Sequence, residues 1–217
     1  MKIYAFGMSA PSRFAMSVCK HAGIDFEPVD IDLTSQEQKS EAHLKRNPNG
    51  KVPVLEDGDF TLWESAAIVR YLLDTKAPGN SLYPSDPKTR ARINMLLGGL
   101  NDLRQAQFAV TAGLVILPRM GQSMPEKVLE FAKKSYAEAL TKINHLITGK
   151  KYAIDDKLTI VDFLFAEMIM NAALINTPFE AEYNHIWTYY QGLLETVPAL
   201  KEDSENLKEI IEMLASA

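Results

Sequence analysis

The chain has 217 residues, enough for one domain or two modest ones with a real core, and its 47% hydrophobic and 24% charged residues are the balance of a globular protein. A formal net charge of −5 leaves no basic excess to displace counterions, which argues against nucleic acid or an anionic membrane as a general partner. The longest nearly apolar run, Ala109 to Leu117, is too short to span a bilayer, and one cysteine excludes an internal disulfide framework and fits a reducing compartment.

In chain order, Lys2 to Phe6 is rich in β-formers and ends at Gly7, with no signal-peptide pattern before it, so the cytosol is the expected location. Phe14, Ala15, Val18, Cys19 and Ala22 then recur at helical spacing until Gly23. Phe26 to Ile31 reads as a second strand, and Gln36 to Arg46 as a polar, weakly helical stretch closed by Asn47–Pro48. Val52 to Leu55 and Thr61 to Trp63 flank Glu56-Asp57-Gly58-Asp59, whose Asp-Gly marks a hairpin. Ser65 to Leu73 pairs Ile68 with Leu72 and Ala67 with Tyr71 at i, i+4, which predicts a helix. The order β-α-β-α-β-β-α is that of a thioredoxin-like unit over residues 1–76.

Residues 77–87 hold three prolines, a glycine and little periodicity, which predicts a linker. From 88 to 217 no convincing strand follows. A helix is expected from Lys88 to about Leu117, before Pro118; another carries Leu129, Ala132, Tyr136, Leu140, Ile143 and Ile147. Ile160 to Met170 is apolar nearly all round and so fully buried, and Asn184–Thr196 and Glu205–Leu214 complete an all-helical domain. The expected fold is therefore α/β followed by all-α.

Three places carry chemistry. Ser9, in MSAPSR, stands between the first strand and the first helix, where a hydroxyl and unpaired N–H groups favour an anion. A thiol bound there has its pKa lowered; two units below about 8.5 require about 2.7 kcal/mol. One hydroxyl donor to a charged acceptor (about 1.5–3 kcal/mol) and a helix terminus (about 0.3–1 kcal/mol) supply that. With no adjacent His or Lys as base, Ser9 would donate rather than attack. The alternative is that Ser9 or Ser12 only caps the helix. Pro53, after Val52, either has a cis peptide bond that presents Val52's backbone to an extended peptide, or is a plain trans edge proline. Glu64 and Ser65 open the third helix, where N–H groups and a hydroxyl suit a carboxylate and the Glu64 side chain an ammonium; simple capping is the other reading. Lys51 and Gln38 could meet a second carboxylate.

The joint order of these features is more specific than any one of them. With SAPSR, NPNGKVPVLEDGDFTLWESAAIVRYL, LYPSDPKTRA and DDKLTIVDFLFAEM, the whole chain resembles a cytosolic glutathione transferase of the serine type, in the phi, theta and delta group. Tyrosine-type classes place the catalytic Tyr where this chain has Phe6–Gly7, so Tyr4 reads as a strand residue. The resemblance implies that Ser9 donates to the glutathione thiolate and that Val52, before a cis Pro53, pairs with the cysteinyl backbone. It implies further that Glu64 and Ser65 take the γ-glutamyl group and that Lys51 sits near the glycyl carboxylate. Relatives often carry His where this chain has Gln38; Gln donates there without charge, and Lys39 or His43 is a possible substitute.

The same resemblance implies glutathione as co-substrate with no further cofactor, small hydrophobic electrophiles as the other substrate, and a homodimer with Arg70 and the start of the helix after Lys88 near its interface. An electrophile pocket is expected from Met8 and Ser12 on one side and Phe108 and Thr111 on the other. Reduction of hydroperoxides is a further expected activity. The competing reading is a non-catalytic module of the same fold, a ligand carrier or one like the N-terminal part of the translation elongation factor 1 gamma subunit; the presence of Ser9, Glu64 and Ser65 disfavours it. Omega-like and beta-like relatives use a cysteine near the Ser9 position, and zeta-like ones show Ser-Ser-Cys. Cys19 falls instead on the apolar face of the first helix, which predicts an inert thiol. The four histidines show no metal-ligand spacing. Thr159-Ile160-Val161-Asp162 reads as a capping box.

Overall fold

A computed structural model of the chain describes residues 1–154 and 156–216; Asp155, which opens the DDKL motif, and Ala217 lie outside them. Strand β1 (Lys2–Ala5) leads into helix α1 (Ala10–Ala22), then β2 (Glu27–Asp30), a 3-10 turn (Glu37–Lys39) and α2 (Glu41–Arg46). A hairpin of β3 (Val54–Asp57) and β4 (Phe60–Trp63) precedes α3 (Ser65–Lys76). The remainder is helical: α4 (Pro87–Thr111), a π-turn (Ala112–Ile116), α5 (Leu117–Arg119), α6 (Glu126–Leu146), α7 (Ile160–Asn171), a 3-10 turn (Ala172–Ile175), α8 (Phe179–Glu182), α9 (Asn184–Thr196) and α10 (Pro198–Ser216).

The strands form one mixed sheet in the order β2-β1-β3-β4, with β1 parallel to β2 and antiparallel to β3. Register partners Ile3 and Leu55 are fully buried on one face, while Tyr4 and Val54 occupy the other with Ile31. Helices α1 and α3 pack on each other and against β1 and β3, burying Phe14, Val18, Ile68 and Leu72. On the Tyr4 face, α2 sends Arg46 over the Tyr4 ring at 4.3 Å and to Glu56 at 2.7 Å, and the Tyr4 hydroxyl donates to Glu56 at 2.6 Å.

Several expected boundaries moved for identifiable reasons. Ser40, with φ −62° and ψ 151°, splits the stretch from Gln36 to Arg46, because its hydroxyl takes the His43 N–H and starts a new helix. Strand pairing begins at Val54 rather than Val52, after the prolyl bond, and Glu56 and Asp57 belong to the strand; the hairpin loop is only Gly58-Asp59. The helix from Pro87 stays helical through Pro118. A π-turn precedes that proline, a local widening that accommodates the missing N–H and the ring. The final helix starts at Pro198, where a first-turn proline loses nothing, rather than near Glu205.

The chain divides into two compact units, Met1–Arg90 with Val197–Ala217, and Ala91–Thr196. The last helix thus falls in the first compact unit. It packs on α1, where Lys20 pairs with Glu202 at 2.8 Å and Asp203 at 3.3 Å. The expected linker 77–87 is anchored within the first unit: Leu82 and Tyr83 are buried, and Arg90 lies over the Tyr83 ring and pairs with Asp74. In the second unit α7 is buried from Ile160 to Met170, as its apolar circumference predicts. Its capping box forms: Asp162, fully buried, accepts the Thr159 N–H at 2.6 Å and the Ala153 N–H at 2.7 Å, and also takes the Tyr189 hydroxyl.

Candidate functional site

The ladder register decides which loops meet. Tyr4 pairs with Val54 and Val54 with Trp63, so β1 ends, β3 begins and β4 ends at the same edge of the sheet. The turn carrying Ser9, the Lys51–Pro53 segment and the start of α3 at Glu64–Ser65 therefore leave from one end of the first unit. Segments up to about 55 residues apart in sequence are brought side by side by antiparallel pairing alone.

The Ser9 turn is built by four hydrogen bonds. Ser9 is the N-cap of α1 in extended conformation, its N–H donates to the Phe6 carbonyl at 2.8 Å, and its hydroxyl oxygen receives the Ser12 N–H at 3.4 Å. That cap uses a lone pair and leaves the O–H proton to donate elsewhere. Ser12 is fully buried and accepts the Phe6 N–H at 3.3 Å, while Arg13, 4% exposed, donates to the Gly7 carbonyl at 2.8 Å. Ser9 is half-buried and heads an α1 of 13 residues, so donors and dipole both favour an anion beside it.

The Val52–Pro53 peptide is cis. The segment before it is held from α2: the Lys51 carbonyl accepts from His43 Nε2 at 3.0 Å and from the Asn47 amide at 2.9 Å. Gly50, at φ 56°, lets the chain pass under Lys39 and Gln38; an added Cβ would lie 2.7 Å from Lys39 Nζ and 2.9 Å from the Gln38 carbonyl. Glu64 is the N-cap of α3 at φ 73° and ψ 108°, a conformation that non-glycine residues adopt only where surroundings enforce it. Its carbonyl accepts from Ala67 and Ile68 at 2.9 Å, which leaves the Ser65 and Ala66 N–H groups outside the helix's own ladder, and the Glu64 side chain is exposed.

Sequence profiles place these parts in a family. The pattern described as Glutathione S-transferase, N-terminal domain matches residues 1–74, and that described as Glutathione S-transferase, C-terminal domain matches residues 118–212. The chain belongs to the glutathione S-transferase family. It is 32% identical to human glutathione S-transferase theta-2B over 165 residues, spanning 75% of this chain and 68% of the relative. Its fold matches a diazinon-metabolizing silkworm transferase with TM-score 0.82 at 30% identity, over 96% of this chain and 98% of the other. Human transferase theta-2, solved with glutathione and an unknown ligand, matches with TM-score 0.87 at 27% identity over 99% and 90%. The fold is thus the transferase fold, a thioredoxin-like αβ unit with a helical unit, and the family is one of transferase enzymes.

Ser9, Val52, Pro53, Glu64 and Ser65 fall on the convergent edge of this transferase's sheet, and Lys51 is exposed beside them. Met8 is half-buried next to Ser9. Ser12 does not suit the electrophile role expected for it: its hydroxyl is enclosed and spent on the Phe6 N–H. His43 is no substitute cation for a ligand carboxylate either, because it is 1% exposed and committed to Lys51. Gln38 turns its side-chain oxygen inward, and that atom has no hydrogen-bond partner among the described residues. Phe108, exposed, and Thr111, whose hydroxyl donates to the Gln107 carbonyl at 2.9 Å, belong to α4 in the helical unit.

Tyr4 is excluded as a thiol partner. Burial and then its hydrogen bond to Glu56 raise the phenol pKa, so it stays a neutral donor inside the Arg46–Glu56 cluster. Arg13 and Asn47 escaped the sequence reading as parts of the site, and His43 was named only as a substitute for the charge missing at Gln38; only Asn47, before Pro48, carried a local turn signal. A shallow cleft lined by Cys19, Lys20, Gly23, Ile24, Asp25 and Phe26 opens at the far end of α1, away from Ser9.

Proposed function

We propose that this transferase binds reduced glutathione at the convergent edge of its sheet and lowers the thiol pKa through the Ser9 hydroxyl. The thiolate then forms a bond to an electrophilic carbon of a small hydrophobic substrate, whose leaving group departs with the bonding electrons. Reduction of an organic hydroperoxide by the same thiolate is part of the proposal. The observation that supports it most is the register Tyr4–Val54–Trp63, which brings the Ser9 turn, the Val52–Pro53 segment and the start of α3 to one end of the sheet.

Each group then has a chemical task. Ser9 donates to the sulfur at the head of α1, where charge develops as the proton leaves. Val52 pairs with the cysteinyl backbone before the cis Pro53. The α3 N-terminus with Ser65 receives the γ-glutamyl carboxylate, and the Glu64 carboxylate takes its ammonium. Lys51, with Gln38 behind it, serves the glycyl carboxylate. Met8, Phe108 and Thr111 are the candidates for electrophile contact. Glutathione acts as co-substrate, and the chain works as a cytoplasmic homodimer with Arg70 and the start of α4 near the interface; no helix among the described residues is long and apolar enough to cross a membrane.

Retention on immobilised glutathione, followed by conjugation of an aryl halide, tests the reading. Retention with turnover supports it; retention without turnover in any electrophile or hydroperoxide panel would return the non-catalytic module, and no retention would remove the glutathione site.

A further inference from the structure

The segment entering Pro53 is held by a side chain to which the proposed reaction gives no role. His43 on α2 is 1% exposed, and its Nε2 lies 3.0 Å from the Lys51 carbonyl oxygen, which the Asn47 amide also engages at 2.9 Å. A carbonyl only accepts, so Nε2 carries a ring proton. Among the described residues Nδ1 is enclosed and without a hydrogen-bond partner. Burying an unpartnered polar atom opposes folding, so an apolar ring would fill this space at lower cost. What the imidazole adds is a second donor on Lys51.

The Lys51 carbonyl and the Val52 N–H belong to one peptide plane. That bond is trans, the only cis bond among the described residues being Val52–Pro53, so the two groups point in opposite directions. Two donors drawing the oxygen toward α2 therefore aim the Val52 N–H away from it. We propose that His43 is a positioning residue: with Asn47 it fixes the plane that presents the Val52 N–H to the cysteinyl backbone of the bound thiol peptide. This rests on the glutathione reading above and adds to it how the Lys51–Val52 peptide is held in place before ligand arrives. Gly50 serves the same end, since a side chain there would push Gln38 and Lys39 away and loosen the segment from the other side.

The test is steady-state kinetics on the full chain with His43→Leu, His43→Phe and His43→Gln. Loss of the donor raises the glutathione KM about three- to tenfold, the range of one neutral hydrogen bond, with kcat and its pH profile held because Ser9 is untouched. His43→Gln, whose side-chain amide can still donate, restores KM to within about twofold of wild type. Calorimetric titration with glutathione reports the same ratio, and His43→Phe keeps the ring volume if the leucine variant fails to fold. Unchanged KM in the leucine and phenylalanine variants, failure of the glutamine to rescue, or a fall in kcat at constant KM overturns the assignment. If wild type itself does not bind glutathione, the parent reading falls and this inference with it; wild-type binding with indifferent variants removes the inference alone.

Discussion

Replacing Ser9 by alanine removes the donor proposed for the ligand sulfur while sparing its turn, because Ser12 keeps the Phe6 N–H and Arg13 keeps the Gly7 carbonyl. The substitution also removes the cap to Ser12, but that contact is long at 3.4 Å. Its loss therefore falls at the low end of cap energies, about 0.5 kcal/mol. The lost hydrogen bond to a thiolate contributes about 1.5–3 kcal/mol, which raises the bound thiol pKa by about one to two units. Below the wild-type pKa the thiolate population, and kcat/KM with it, drops about 10- to 100-fold; well above the variant's pKa the two enzymes converge. Two measurements check this: kcat/KM with an aryl halide from about pH 5.5 to 9, and ultraviolet thiolate absorbance of the glutathione complex over the same range. KM for glutathione should change little. A loss of equal size at every pH, or no loss at the acid end, would refute Ser9 as the donor.

Three further outcomes follow from the packing. Cys19 is 1% exposed and burial pushes its thiol up to about 12, so a disulfide reagent at pH 8 should label it only after denaturant; rapid native labelling would contradict the burial. In the α7 capping box, Thr159→Ala should cost about 0.5–2 kcal/mol in urea unfolding. Asp162→Ala should cost more, about 3 kcal/mol, since it strands the buried Thr159 N–H, the partly buried Ala153 N–H and the Tyr189 hydroxyl; equal effects would deny Asp162 its central place. Asp57 is held below its ordinary value of 3.8 chiefly by the hydrogen bond from Lys76, opposed by burial and assisted by Tyr71. A lowered folded pKa means this contribution is fully present above 3.8 and disappears as pH falls through the folded value. The stability gap between wild type and Asp57→Asn should therefore shrink on acidification below that point, and a constant gap would show that the ion pair does not stabilise the hairpin.

The sequence by itself determined the kinds of elements and their order. Period-two β-formers bounded by Gly7, Asp57-Gly58 and Asn47–Pro48, and apolar residues spaced three or four apart from Phe14 to Ala22 and from Ser65 to Leu73, are local signals that read without knowledge of neighbours. The burial of α7 and its capping box were legible for the same reason, as was Ser9 at a helix start. What the tertiary structure alone decided is which distant groups share a hydrogen bond. The choice between cis and trans before Pro53 stayed open in the residues themselves, and the positive φ at Glu64, the Lys51 carbonyl shared by His43 and Asn47, and the docking of α10 on α1 all depend on contacts that no local periodicity records. Ser12 shows the limit most plainly: two residues from the helix start, its hydroxyl looks from sequence like a site group, yet it is buried and accepts the Phe6 N–H at the exit of β1. Local propensity fixes where a helix begins, but the direction a side chain faces is set by whatever packs against it.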